Sequence, residues 1–394
     1  SDNLIKIIKN GLVYSPDYIG KKDILIEGDK IGYICDNINV PDNFVEIEVI
    51  DAEGKYVVPG FIDSHVHITG GGGEGGFKTR TPEIQLTDIT TGGVTTVIGV
   101  LGTDGTTRNM ANLVAKARAL EEEGITTYIY TGSYQVPVRT ITGSIQDDII
   151  LVDKIIGTGE IAMSDHRSSQ PTIEDFAKIA AEARVGGILS GKAGVVNIHM
   201  GDGDRELDYI EEIVNKTEIP ITQFIPTHMS RNMSLFKKSI EYARKGGIVD
   251  FTTSTNDKFA EEGETKCSSA LKTLFDEGIS IDKVTFSSDG QGSLPKFDEK
   301  GKFIGLGVGK VTSLYQEVRD AIVNEQVPME VALRVITSNP ANILKLNSKG
   351  NIKVGYDADI VILDCDTLNI DTVISLGQVM IKNKQILVKG TFEK

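Results

Sequence analysis

The sequence predicts an α/β fold: a (β/α)8 barrel of the TIM type, with a small β-sandwich domain built from both ends of the chain. Three observations predict it. Eight short runs rich in Val, Ile, Phe and Thr recur along the chain, amphipathic helical stretches lie between many of them, and the two flanks carry short strand patterns without helices. In chain order, residues 5–58 read as short strands and turns at 12–14, 23–27, 30–35 and 45–51. The eight apolar runs then follow at 60–67, 94–102, 126–132, 160–165, 195–200, 221–228, 248–253 and 283–289. Such runs suit parallel strands buried on both faces. Helical spacing marks 109–123, 171–184, 235–245 and 268–277, which stop at Gly124, Gly186–Gly187, Gly246–Gly247 and Gly278. Glycine just past the last periodic residue is the usual left-handed stop. Residues 351–394 return to strand patterns at 360–363, 379–381 and 385–388. The expected division is a barrel over 59–345 and a β domain from 1–58 plus 346–394. An open doubly wound sheet is the alternative to the barrel.

Composition narrows the function classes. The chain has 394 residues, 40% hydrophobic and 25% charged, enough to bury a full core. Its net charge of −15 repels a polyanion, so nucleic acid is not an expected partner. The three cysteines, Cys35, Cys267 and Cys365, are scattered and form no CxxC, which suggests a reducing compartment. No signal-peptide core and no membrane-spanning apolar run is evident, so a soluble cytoplasmic protein is expected.

The chemistry gathers at strand ends. Four of the five histidines sit there: His65 and His67 close the first run, His199 the fifth and His228 the sixth, and Asp289 closes the eighth. Residues two apart on a strand face the same side, so His65 and His67 share one space. In a barrel these ends meet at one mouth, and imidazoles with a carboxylate there describe a divalent-metal site, zinc by preference. The rival reading is a set of hydrogen-bonded core histidines. It requires nearly every histidine in the chain to reach a strand terminus by accident.

The segment Val58-Pro59-Gly60-Phe61-Ile62-Asp63-Ser64-His65-Val66-His67 resembles the opening motif of the amidohydrolase superfamily. Thr337-Ser338-Asn339-Pro340-Ala341, Lys349-Gly350 and Gly355-Tyr356-Asp357-Ala358-Asp359 resemble its return to the β domain. Within that superfamily the chain is similar to the isoaspartyl (β-aspartyl) dipeptidase family. The similarity runs through Gly70-Gly71-Gly72-Gly73-Glu74, Thr79-Arg80-Thr81-Pro82-Glu83, Leu101-Gly102-Thr103-Asp104 and Arg139-Thr140-Ile141-Thr142-Gly143-Ser144. It continues in Ser164-Asp165-His166-Arg167-Ser168, His199-Met200-Gly201-Asp202, Pro226-Thr227-His228 and Ser287-Ser288-Asp289-Gly290, so it covers nearly the whole chain.

The resemblance implies two zinc ions, one on His65, His67 and Asp289 and the other on His199 and His228. The family's bridging ligand, a carboxylated lysine on the fourth strand, aligns here with Glu160. Glutamate supplies the same two oxygens and one charge on a shorter side chain, so the strand or the metal pair must shift; a non-ligand Glu160 with a looser or single-metal site is the alternative. Lys154 lies too early to replace it. The implied reaction is hydrolysis of the β-aspartyl amide bond of a dipeptide by a bridging hydroxide, with Asp289 as proton shuttle and Tyr134 stabilising the oxyanion. Glu74 would hold the substrate's α-ammonium group. Gly72, Thr103 and Ser293 would hold the α-carboxylate of the isoaspartyl unit, and Arg167 and Arg231 the C-terminal carboxylate. His166 is expected to be a supporting or buried residue rather than a ligand. A homo-oligomer is implied too, with no membrane partner. Two rival functions stay open: another amidohydrolase activity on acylated amino acids, cyclic amides or aminated rings, and a scaffold that kept the barrel without the chemistry.

Overall fold

The computed structural model describes residues 3–254, 263–297, 300 and 303–394. Eight parallel strands occupy the predicted runs: β1 (Phe61–Val66), β2 (Val94–Gly99), β3 (Thr126–Thr131), β4 (Ile155–Met163), β5 (Val195–Met200), β6 (Phe224–Thr227), β7 (Val249–Thr252) and β8 (Val284–Ser287). The first six form one sheet in chain order, and β7 pairs with β8. Backbone bonds just past the strands link the two sheets. Met229 N donates to Asp250 O at 3.3 Å, Asp289 N to His65 O at 3.0 Å, and His67 N to Gly290 O at 2.9 Å. The last two join the C-terminal end of β8 to that of β1, so the arrangement is TIM-barrel-like. Ile62, Ile98, Tyr130, Ile156, Val195 and Ile225, one from each of β1 to β6, pack in a single buried cluster. A layer of bulky residues donated strand by strand is how such a ring fills its interior.

The larger core lies between the strands and the surrounding helices. Met110–Glu123 is capped by Asn109, whose side chain accepts from Asn112 N, and ends at Gly124. The helix expected to stop at Gly186–Gly187 continues instead over Ile173–Ser190 and ends at Gly191, which has φ 75°. Those two glycines serve close packing rather than termination. A Cβ on Gly187 would lie 2.7 Å from Gly194 Cα, and one on Gly186 3.2 Å from Ile149 Cβ. The fourth strand begins five residues earlier than its apolar pattern suggests, because Gly157 and Gly159 interrupt the run. The sixth is shorter than predicted: after Pro220, residues 221–223 form a 3-10 turn.

The two flanks join in one continuous nine-stranded sheet. Its order is Gln385–Ile386, Gln378–Lys382, Ile370–Ser375, Ile360–Asp364, Lys55–Pro59, Ile5–Tyr14, Tyr18–Glu27 and Lys30–Cys35, with Ile47–Asp51 also pairing to Ile5–Tyr14. Residues from both arms, among them Ile24, Ile50, Val57, Ile362 and Ile374, share one buried cluster, so the sheet wraps onto itself in a sandwich-like way. Among the described residues, no helix is long and apolar enough to cross a membrane. An antiparallel hairpin absent from the predicted elements, Ser293–Phe297 with Phe303–Val308, follows β8 and brings Ser293 to the mouth.

Candidate metal centre

All the predicted donors meet at the C-terminal ends of the strands. His65 ends near the tip of β1 and His67 stands just beyond it, their rings 5.6 Å apart. His199 comes from β5, and His228 and Asp289 follow β6 and β8 with φ of 63° and 56°. Left-handed backbone at non-glycine residues is uncommon and concentrates at working sites, where the surroundings enforce it.

Glu160 reaches the centre through a local irregularity of β4. Val196 pairs with Thr158 but Ile198 pairs with Ile161, so β4 carries one extra residue across Gly159 and Glu160. This bulge redirects the side chain, as bulges do. It also requires glycine: a Cβ on Gly159, at φ 149°, would lie 2.7 Å from Asn197 O.

The two oxygens of Glu160 face different pairs of imidazoles. Oε1 lies 2.9 Å from His199 Nδ1 and 3.2 Å from His228 Nε2. Oε2 lies 3.3 Å from His65 Nε2 and 3.5 Å from His67 Nε2. Asp289 Oδ1 completes the second group, 3.4 Å from His65 Nε2 and 2.9 Å from His67 Nε2. Two donor sets, His65–His67–Asp289 and His65–Glu160–His228, are compact enough for a cation. The chemistry fits one. His65 Nε2, Glu160 Oε2 and Asp289 Oδ1 are buried with no hydrogen-bond partner, an arrangement whose cost a divalent ion removes. Imidazole nitrogen with carboxylate oxygen is the donor mixture of zinc and its first-row neighbours.

The donors set one another's charge. Burial works against the charge on Glu160, but His65 and the other imidazoles outweigh it and hold its pKa well below the usual range. Burial opposes charge on His65 as well, and Glu160 and Asp289 hold its pKa well above normal. His228 goes the other way: burial pushes it down to about 4, keeping the ring neutral as a ligand must be. The Tyr134 phenol is raised well above 10 by burial and by Glu160, so it stays a proton donor. Its OH lies 3.0 Å from His199 Nδ1.

Above the donors opens a cavity of about 410 Å³. His67, His199, His228 and Asp289 line it, while His65 and Glu160 are not among its lining residues. All six residues expected to bind substrate, Gly72, Glu74, Thr103, Arg167, Arg231 and Ser293, lie on its wall, as does Tyr134. Arg167 Nη1 meets Glu74 Oε2 at 2.6 Å, and Thr103 Oγ1 donates to Glu74 Oε1 at 3.2 Å. Arg231 is held by Asp202 at 2.9 Å and by Met200 O at 2.6 Å. Gly72 has φ 70°, and a Cβ there would sit 2.7 Å from Thr79 O, so the glycine loop could carry little else.

Other residues escaped sequence reasoning. Asn197 Oδ1 lies 3.1 Å from His65 Nδ1, and Thr252 Oγ1 2.6 Å from His228 Nδ1. Asp165 contacts His199 Nε2 at 2.8 Å. Arg108 is buried and donates to the carbonyls of Thr69, Gly71 and Thr81, fixing the glycine loop. Asp63, inside the opening motif, is buried and pushed up to about 7 while accepting from Ser288 N and His65 N. None of these carries a periodicity; Asp63 and Asp165 lie within the motifs that carry the resemblance, and nothing local marks Thr252. His166 proves exposed rather than buried, and it takes no part in the site. Lys154 sits at the opposite end of β4, donating to Thr127 O.

Comparison with known proteins places these features in a wider set. The model of the amidohydrolase family matches residues 56–384. The solved β-aspartyl dipeptidase of Fervidobacterium islandicum AW-1, in complex with the β-Asp-Leu dipeptide, is 49% identical over 97% of this chain and 98% of that one, with a TM-score of 0.89. A dihydroorotase of Thermoanaerobacter sp. (strain X514) is 24% identical over 91% of this chain and 87% of its own length. A D-hydantoinase structure, 18% identical with a TM-score of 0.69 over 100% of this chain and 98% of that one, shares the fold.

Proposed function

Since this chain belongs to the amidohydrolase family, we propose that it is a metal-dependent dipeptidase that hydrolyses the β-aspartyl amide bond of small dipeptides. The observation that carries the reading is the pairing of two features in one cavity. Glu160 presents one oxygen to each of two imidazole pairs, and the opposed charges of Glu74 and Arg167 stand above them. The 49% identity to an enzyme solved with β-Asp-Leu supports the same substrate class.

His65, His67 and Asp289 would hold one ion, His199 and His228 the other, and Glu160 both. Two divalent ions held there, zinc by the donor set, would supply an activated water at neutral pH and polarise the scissile carbonyl. Asp289 would accept a proton from the attacking water on a carboxylate oxygen and pass it to the leaving nitrogen, which departs poorly unless protonated. The Tyr134 hydroxyl, kept protonated by its surroundings, donates to the oxygen where negative charge develops. Glu74 binds the α-ammonium group. Gly72, Thr103 and Ser293 bind the α-carboxylate, and Arg167 and Arg231 bind the C-terminal carboxylate by paired hydrogen bonds.

Residues 59–345 form the catalytic domain of this reading, and 1–58 with 346–394 the small β domain. Three free cysteines fit a cytoplasmic setting, and a homo-oligomer is the working form this reading takes from the family resemblance. The dihydroorotase likeness favours a second reading, cyclic-amide hydrolysis. Turnover of β-Asp-Leu set beside dihydroorotate and N-acetyl-aspartate separates them. Preference for β-Asp-Leu is the expected result, and preference for either of the others overturns the dipeptidase reading.

A further inference from the structure

Asp165 lies two residues past β4, and its side chain is 3% exposed. Both of its oxygens are engaged. Oδ2 lies 2.8 Å from His199 Nε2 and accepts from Arg167 Nη2 at 2.9 Å. Oδ1 accepts from Arg167 Nε at 3.0 Å and from Arg167 N at 2.8 Å.

His199 turns its other nitrogen, Nδ1, toward Glu160 at 2.9 Å and Tyr134 at 3.0 Å. An imidazole ligates only through a nitrogen that carries no proton. A carboxylate on the opposite nitrogen keeps the proton there and fixes the ring plane. The backing of the other imidazoles differs. His65 is backed by an amide and His228 by a hydroxyl, and His67 Nδ1 finds no hydrogen-bond partner. Among the described residues, His199 is the member of the four with a carboxylate behind it. The same carboxylate grips the Nε–Nη2 edge of Arg167 and leaves Nη1 directed at Glu74. The guanidinium lies 5.4 Å from the Tyr134 ring centre, which steadies its plane.

We propose that Asp165 is a positioning residue that orients His199 for a metal ion and Arg167 for the substrate's C-terminal carboxylate at the same time. Its arm on Arg167 rests on the dipeptidase reading; its arm on His199 rests only on the metal centre.

The test is Asp165→Asn, which keeps the shape and removes the charge. Chelator competition should find one of two metal sites weakened by roughly 10–100-fold and the other unchanged. The KM for β-Asp-Leu should rise by about 10-fold or more. That for its C-terminal amide should move by less than about 3-fold, since only the acid brings a negative charge to Arg167 Nη1. Equal weakening of both metal sites, or of neither, overturns the His199 arm. Equal KM losses for acid and amide overturn the Arg167 arm. Should the variant fail to fold, histidine-selective 15N NMR of the zinc-loaded wild type decides the first arm. A proton on His199 Nε2 supports it, and a proton on Nδ1 overturns it. A wild type that holds two ions yet leaves β-Asp-Leu intact defeats the dipeptidase reading and the Arg167 arm with it, while the NMR result still judges His199.

Discussion

Glu160 Oε2 and His65 Nε2 face each other at 3.3 Å, both buried and neither hydrogen-bonded. Two such atoms left bare in a protein interior cost several kcal/mol unless a cation lies between them. Glu160→Gln keeps the volume and removes the charge. It should hold fewer than two ions per chain and lose about 10²-fold or more in kcat/KM. Because glutamate carries its own carboxylate, reactivation of metal-stripped protein should be indifferent to bicarbonate. Strong rescue of the wild type by bicarbonate would count against the bridge.

Tyr134→Phe removes the OH and leaves the ring under Arg167. If that hydroxyl meets the developing oxyanion, kcat should fall by about 10²–10³-fold with the metal content unchanged. A variant that loses metal together with activity would show that the hydroxyl organises His199 instead, 3.0 Å away.

Glu74→Gln tests the ammonium pocket. A charge-assisted hydrogen bond is worth roughly 1.5–3 kcal/mol, so KM for β-Asp-Leu should rise by about 10–100-fold with kcat little altered. The same change should barely affect an N-acetylated substrate, which has no ammonium group to lose.

Lys349 ties the β sheet to the barrel. It is buried between Asp357 at 2.9 Å and Asp359 at 2.7 Å, and it reaches Thr126 Oγ1 in β3. Lys349→Met leaves the buried Asp359 without its cation and Asp357 with Lys30 alone, and should destabilise by about 3–5 kcal/mol, read as a lower unfolding midpoint. The pH dependence has two limbs. Burial raises the Asp357 pKa, but Lys349 and Lys30 bring it below 3.8, so this stability holds above that value and fades as pH falls through the folded pKa. Burial lowers the Lys349 pKa, but Asp359 and Asp357 raise it above 10.5, so this stability holds below that value and is lost as pH climbs through the folded pKa. The variant's melting temperature should therefore be flatter with pH at both extremes.

Much of the site was legible because strand period and strand ends are local signals. His65 and His67 are two residues apart, and His199, His228 and Asp289 each close an apolar run, so their convergence needed only the barrel. What could not be read was register. The extra residue at Gly159–Glu160 exists only in the pairing of β4 with β5, and the wrap of the nine-stranded sheet depends on strands hundreds of residues apart. In the first strand of the N-terminal flank only 12–14 showed a pattern, whereas the strand runs over Ile5–Tyr14. Lys9 and Asn10 obscure its alternation, and a bulge between Ile8 and Gly11 resets it. Asp165 carried no role in the sequence, since Arg167 follows it closely but His199 stands 34 residues away and meets it only in the fold.

The most direct measurement is an anomalous-scattering map of crystals of the purified protein, recorded at the absorption edges of zinc and its neighbours. Two peaks should flank the Glu160 carboxylate, one beside His65, His67 and Asp289 and the other beside His199 and His228. A map without peaks there, from protein that still cleaves β-Asp-Leu, would contradict the account.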